Sequence, residues 1–426
     1  MAPSSNHHAK KQFGHSLRAD FLIADDYTLM NHGSYGTYPA VVRTALRQYQ
    51  DRAENCIDTW FRRDMYTEVQ KAKEKLATLI HCHADDLAFI ANASTGINSV
   101  ARSLPFQSGD KILQLSTIFA ATGATMRFVR DTRGVELIIL DPTYPISDDD
   151  LVAMIEEAIL KEETKVGVTG GKIKMAVLDT ISSTPGVRVP FERIIKLLRK
   201  HNILSLVDGA HGIGQIPLNL HETDPDFFIS NCHKWLYTVR GSSILYVAKR
   251  NQRYIHPAIT SEYYKDHSDL SDMSETFHKE FSWQGTQDFS GFLTTFAALE
   301  YRESLGGEEK IQEYCGNLAR RGGELVAKIL GTEVMENEEK TLTAMMVNVR
   351  LPLVAHENDG YYMERFLEEG AFKRKCFAPG YKYKGTWYTR LSAQVYMEES
   401  DFEKAAHVLK DICEQLEQER LEGQKK

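Results

Sequence analysis

The segment Ser230-Asn231-Cys232-His233-Lys234-Trp235 puts a lysine directly after the apolar run DFFISNCH, Asp226 to His233. If that run is a strand, Lys234 stands at its carboxyl end, where open α/β sheets bind ligands. An amine so placed can condense with an aldehyde. A lone lysine is more often a surface side chain with its amine in water, but a second motif alters the reading. Val207-Asp208-Gly209-Ala210-His211 closes the preceding apolar run, Ile203 to Ala210. An aspartate there can pair with a protonated pyridine nitrogen and keep the ring an electron sink, whereas a single aspartate in this setting would ordinarily be a helix N-cap. Amine and carboxylate at two strand ends, in this order, are hard to obtain by chance. A third piece, Ala91-Asn92-Ala93-Ser94-Thr95-Gly96-Ile97-Asn98, follows the apolar DDLAFIA. It reads as a helix N-terminus with free N–H groups and hydroxyls, suited to a phosphate; by itself it would be plain Ser/Thr capping.

Other candidates are weaker. His81-Cys82-His83 contains metal-ligand residue types, but on a strand alternate side chains point to opposite faces, so no metal site is expected. Cys232 is expected to face the core rather than act as a thiol nucleophile. Trp60, Phe61 and Tyr66 read as core or interface aromatics.

These motifs need a scaffold. KMAVLDT (Lys174 to Thr180), ILSLVDGA, DFFISNCH and SSILYVAK (Ser242 to Lys249) are short apolar runs, and FERIIKLLRKHN between the first two has helical spacing. The alternation predicts an α/β domain with a mainly parallel sheet. After Ser290 a long helix runs through FLTTFAALEYRESLGG to a C-cap at Gly306-Gly307. Beyond it the spacing predicts helices near Ile311 to Leu330, near Tyr361 to Glu369 and from Asp401, with strands near Ala344 to Arg350 and Tyr388 to Ala393. The chain of 426 residues exceeds one ordinary core, and divides into an N-terminal segment (1–62), a large domain (63–290) and a linking helix with a small C-terminal α/β domain (291–426). The stretch up to Arg62 is expected to wrap onto the small domain or a dimer interface.

Net charge is −8, which argues against nucleic-acid or anionic-membrane partners, and no run of about 18 apolar residues suits a membrane span. The first residues, MAPSSNHHAKKQFGHS, read as a mobile tail without an apolar signal core. Six scattered cysteines form no CxxC pair, so reduced thiols and a cytoplasmic location are expected.

Through NASTGIN, LVDGAHG and SNCHKW, the chain resembles the class V aminotransferase family of fold-type I pyridoxal-phosphate enzymes. The resemblance also covers LMNHGSYGTYP, DTISSTPGVRVPF, WQGTQDFSGF and TRLSAQVY. Within the family it is most similar to the fungal branch of ergothioneine-pathway C–S lyases, with loline-biosynthesis enzymes and isopenicillin N epimerases as near relatives. The resemblance implies pyridoxal 5′-phosphate as cofactor and Lys234 as the lysine that carries it. It implies Asp208 at the pyridine nitrogen and His211 on the O3′ side of the ring. Ala93, Ser94 and Thr95 match the phosphate loop, with Asn231 and His233 as further phosphate contacts. Gly285 and Thr286 match a segment lent to the neighbouring subunit's phosphate, which implies a homodimer. Ser183, or its neighbour Ser182, matches a polar residue at the ring; Arg390 matches the clamp on the substrate carboxylate; and Asn31 and His32 edge the substrate pocket. One departure matters. Where relatives often place His or Tyr over the cofactor, this chain has Phe119, which stacks but has no proton to give. The expected reaction is a β-elimination that breaks a carbon–sulfur bond in an amino-acid-like substrate. Decarboxylating or ring-forming biosynthesis or epimerisation is the alternative, followed by transamination and, last, a non-catalytic scaffold.

Overall fold

The computed structural model describes residues 12–166, 171–265, 273–354 and 359–423. The first eleven residues of the expected N-terminal tail lie outside them. Seven strands, β1 (Leu87–Ile90), β2 (Lys111–Leu115), β3 (Glu136–Leu140), β4 (Ile173–Asp179), β5 (Leu204–Asp208), β6 (Phe227–Ser230) and β7 (Ser243–Val247), form one sheet in the order β1-β7-β6-β5-β4-β2-β3. Neighbours from β3 to β6 run parallel; β7 is antiparallel to both β6 and β1. The chain is therefore α/β with a mainly parallel sheet, as expected.

Side-chain alternation explains why the strands read as continuous apolar runs. Ile90, Met175, Val177, Leu206, Phe227, Ile229 and Leu245 belong to the core on one face. Leu87, Phe89, Ala176, Leu178, Val207, Phe228 and Ile244 belong to the core on the other. A parallel sheet covered by helices on both sides needs both sets apolar. By the same alternation Asp179 continues the face of Met175 and Val177, and Asp208 that of Leu206. The two aspartates are register partners at the carboxyl ends of β4 and β5.

A second, antiparallel sheet holds β8 (Met346–Arg350), β9 (Gly380–Tyr383) and β10 (Thr386–Ser392) in the order β8-β10-β9. Helices Gly307–Leu330 and Glu399–Gly423 pack together beside it. Strand β9 was not foreseen. It is half of a tight hairpin whose two turn residues, Lys384 and Gly385, both have positive φ, the geometry that twists correctly into flanking strands. The helix expected near Tyr361 begins at Asp359 and passes at Leu367 into a π-helical segment ending at Lys373. The helix Ser290–Ser304 ends just before Gly306 and Gly307, both at positive φ. His81-Cys82-His83 corrects an expectation: it is not a strand but the turn that closes helix Met65–Ile80, with His81 left-handed at φ 52°, so strand alternation does not apply to it. Cys232 is fully buried, and burial pushes its thiol up to about 12.

The N-terminal segment packs back onto the second sheet's surroundings. Gly14 N–H donates to the Val395 carbonyl, Thr28 N–H to the Lys375 carbonyl, and the His15 ring meets Asp401.

Candidate active site

The carboxyl ends of β1, β5 and β6 converge on one place. β6 ends at Ser230, and the short helix Cys232–Trp235 that follows carries Lys234. The Lys234 amine lies 3.1 Å from His211 Nε2. Burial is the main cause that lowers this amine to about 8; nearby Arg390 lowers it further, while Asp208 and Asp179 oppose both. An amine near 8 is a usable nucleophile and base at neutral pH.

Asp208 closes β5. Its carboxylate accepts hydrogen bonds from Thr122 Oγ1 (2.9 Å) and the Ala210 N–H (3.1 Å). Burial raises its pKa; Thr122, Ala210 and Lys234 pull the other way. It forms no ion pair among the described residues, although it is 3% exposed. His211 receives a hydrogen bond from Trp235 Nε1 on Nδ1, at 3.2 Å. Burial above all, then Lys234, Arg390 and His233, holds its imidazole well below the usual histidine range.

The helix Ala93–Ser103 starts where β1 ends. Asn92 caps it by accepting from the Thr95 N–H at 2.9 Å. Asn231 Oδ1 accepts from the Ala93 N–H (2.9 Å) and from Ser243 Oγ (2.7 Å), tying this helix start to the segment that carries Lys234. Ser94 is exposed and Thr95 half-buried; Asn231 takes the Ala93 N–H and Asn92 takes the Thr95 N–H and hydroxyl, which leaves the Ser94 N–H and hydroxyl as the accessible donors at this helix start. His233 is held by burial at about 4, with its Nδ1 3.3 Å from the Ser242 carbonyl. Phe119 stands at the start of helix Ala120–Arg133, one turn before Thr122, and is 47% exposed.

Arg390 comes from β10 in the second sheet. Its Nη1 donates to the Ser183 carbonyl (2.6 Å) and Ser183 Oγ (3.2 Å), and its Nη2 to Asn31 Oδ1 (3.1 Å) and Ser34 Oγ (2.8 Å). Its Nε is buried and has no hydrogen-bond partner among the described residues. Ser183 thus joins the site, whereas Ser182 is turned inward, its hydroxyl donating to the Pro185 carbonyl at 2.6 Å. His32 stands behind the lysine: its Nε2 is 2.6 Å from the Lys234 carbonyl and its Nδ1 3.0 Å from the Tyr396 hydroxyl. Both ring nitrogens are engaged, so His32 supports the Lys234 main chain and has none left for a substrate. Gly285 and Thr286 are exposed on the loop between Trp283 and Phe289 and take no part in the hydrogen-bonded cluster around Lys234.

Sequence reasoning missed Thr122, Ser34, Asp179 and Arg302. Arg302 is 1% exposed; it donates to the Trp235 carbonyl (2.7 Å) and the Gly214 carbonyl (3.0 Å), pairs with Glu308, and lies over the Tyr237 ring. The stretch FLTTFAALEYRESL also carries Glu300 and Glu303, so no local signal singled Arg302 out. Asp179 is buried, and its Oδ2 has no hydrogen-bond partner among the described residues; burial first, then Asp208, raises it well above the usual carboxylate range.

The donor set suits pyridoxal phosphate. A lowered lysine amine, a buried carboxylate without a cation, a capped helix N-terminus with an accessible hydroxyl, and an arginine with a buried unpartnered N–H are all turned to one place. The family model for class-V aminotransferases matches residues 28–404. The L-cysteine desulfhydrase-like protein lolT1 of Epichloe uncinata is 32% identical, over 95% of this chain and 96% of that one. The hercynylcysteine sulfoxide lyase of Schizosaccharomyces pombe is 31% identical, over 94% of this chain and 98% of that one. Among solved structures, a C-DES variant with glycine covalently linked to the PLP cofactor superposes with a TM-score of 0.75 at 16% identity, covering 91% of this chain and 97% of that one, which establishes the fold.

Proposed function

Since the chain belongs to the class-V aminotransferase family and is a pyridoxal-phosphate enzyme, we propose that it breaks the Cβ–sulfur bond of a cysteine-derived substrate, with Lys234 as its catalytic lysine. The observation that carries the role of Lys234 is its buried amine at the carboxyl end of β6, 3.1 Å from His211 Nε2 and lowered by burial and by Arg390. The choice of sulfur as leaving atom is supported by the hercynylcysteine sulfoxide lyase and the cysteine desulfhydrase-like protein among the relatives.

When bound, the cofactor supplies an electrophilic carbon for the amine and a sink for the electrons released at Cα. The protein's own groups do the rest. The helix start at Ala93, Ser94 and Thr95, with Asn231 and His233 beside it, would hold the phosphate. Asp208, fixed by Thr122 and Ala210, would pair with the ring nitrogen and favour its protonated form. The free Arg390 Nε–H, with one Nη–H released from Ser34 or Asn31, takes the substrate carboxylate in a two-point grip. Lys234 removes the Cα proton. The Cβ–S bond then breaks, and its electron pair leaves on sulfur. Phe119 donates no proton, so the sulfur must leave as an anion stable by itself.

The test is a substrate panel with pyruvate, sulfur products and carbon dioxide all measured. A cysteine sulfoxide, which releases a sulfenate, should turn over faster than the matching thioether. General acid assistance is commonly worth about 10²–10⁴-fold, and Phe119→Tyr should recover part of that on the thioether alone. Equal rates on both compounds would contradict the missing acid. No reaction with either, together with carbon dioxide release, would favour a decarboxylating catalyst instead. A two-fold dimer with composite sites, in the cytoplasm, belongs to the same reading; its support is the exposed Gly285-Thr286 loop and six free cysteines.

A further inference from the structure

Trp235 follows the lysine in sequence, is 1% exposed, and spends its one polar atom on His211. An indole N–H only donates. His211 Nδ1, which receives it, must therefore carry no proton, and a neutral imidazole then has its proton on Nε2. That nitrogen faces the Lys234 amine at 3.1 Å. An ammonium has no lone pair to accept with, so the Nε2–H of His211 finds an acceptor at Lys234 only when the lysine is a free amine. We propose that Trp235 is a positioning residue that locks His211 in its Nε2–H tautomer and thereby favours the unprotonated, reactive form of Lys234.

The alternatives each break a contact. A doubly protonated His211 would set its Nδ1–H against the indole N–H. The opposite tautomer would do the same while accepting from an ammonium at Lys234. Both are buried arrangements in which a donor meets a donor, and a buried donor left without an acceptor is costly. The charged surroundings agree in direction. Lys234, Arg390 and His233 all disfavour a cationic His211, and Arg390 disfavours a cationic Lys234 against the opposing pull of Asp208 and Asp179. The rest of the frame holds the indole in place. Arg302 grips the Trp235 carbonyl, His32 grips the Lys234 carbonyl and tilts against the indole ring, and Gln215 Nε2 donates to the His211 carbonyl at 2.8 Å.

The inference rests on Lys234 being the cofactor lysine, and the experiment separates the two. Full-length protein labelled with nitrogen-15 histidine is examined by NMR with cofactor bound and after its removal, using His211→Gln to assign the resonance. The pH dependence of cofactor recapture by the stripped protein is followed in parallel. The expected result is an unprotonated Nδ1 and a protonated Nε2 in both states, with recapture rising through about pH 8. Trp235→Phe should move that midpoint upward, toward the ordinary lysine value of about 10.4, and mix the tautomers. Replacing Trp235 by its benzothiophene analogue, which keeps the ring shape and lacks the N–H, should do the same and decides the matter if the Phe variant folds poorly. A protonated Nδ1 in the wild type, or an unchanged midpoint with the benzothiophene analogue, overturns the proposal. If Lys234→Ala still holds borohydride-fixed cofactor, the lysine assignment fails instead, whatever the tautomer.

Discussion

Burial raises the Asp208 carboxyl, while hydrogen bonds from Thr122 and Ala210 and the neighbouring Lys234 amine pull it back toward the charged form. Removing the charge while keeping the shape isolates its electrostatic part. Asp208→Asn should still bind cofactor, because Thr122, the helix start at Ala93 and Lys234 are untouched. Turnover should fall by ~10²–10³-fold, the size of one preorganised electrostatic contact. Cofactor content by absorbance, set against turnover on one substrate, separates the two effects; equal activity in the variant would mean that Asp208 has been misassigned. Asp179 differs in kind. It is the register partner of Asp208, buried on the same face, and its carboxyl is pushed well above the ordinary range by burial and by Asp208. Two adjacent buried carboxylates cannot both be ionised cheaply, and of the two it is Asp208 whose charged form is favoured by hydrogen bonds from Thr122 and Ala210.

At the scale of elements, the segment carrying Lys234 is held from outside its own sheet. The helix Cys232–Trp235 makes a single turn, too short to be stable alone. Its carbonyls at Lys234 and Trp235 are taken by His32 and Arg302. Tyr237, just beyond, has φ 70°, unfavourable for a bulky residue, and is kept there by the Arg302 guanidinium over its ring and a hydroxyl bond to Gln394. Gly36, at φ 65°, passes so close that a Cβ there would lie 1.8 Å from the His233 carbonyl oxygen, so only glycine fits. Arg302→Met should be costly, since it strands Glu308 and leaves two buried carbonyls without donors. Each buried carbonyl left without its donor costs about 1–3 kcal/mol, and the partly exposed Glu308 adds less. Thermal unfolding of the variant should shift down accordingly, with cofactor lost before the main transition; an unchanged midpoint would show that the clamp does not support the fold.

At the scale of the whole molecule, the site draws on distant parts of the chain. Asn31 and Ser34 from the N-terminal segment meet Arg390 from the second sheet, and both stand over strand ends of the first. Gly285 and Thr286 stay outside that cluster within one chain, which is what composite sites in a two-fold dimer require. Co-expression of differently tagged Lys234→Ala and Thr286→Ala subunits tests this. Each variant alone should be impaired, while the mixed dimer should recover about half the wild-type turnover, because one of its two sites carries neither defect. A fully active monomer in sedimentation would refute the composite site.

The sequence alone determined the parts of this protein whose chemistry is local. Apolar runs ending in Asp208 and just before Lys234 marked the strand ends, because a parallel sheet covered on both faces must be apolar on both. Asn92 through Thr95 marked a helix start through ordinary capping. The two-residue turn at Lys384-Gly385 was overlooked for lack of the usual Asn-Gly signature, and His81-Cys82-His83 was given strand geometry when it closes a helix. Only the tertiary structure decided which side chains meet. Trp235 on His211, Thr122 on Asp208, Arg302 on the Trp235 carbonyl and Ser34 on Arg390 join residues between 24 and 356 positions apart. Strand and helix periods tell which face a side chain takes, but the partner across a packed interface depends on how the elements are stacked, and no local spacing encodes that.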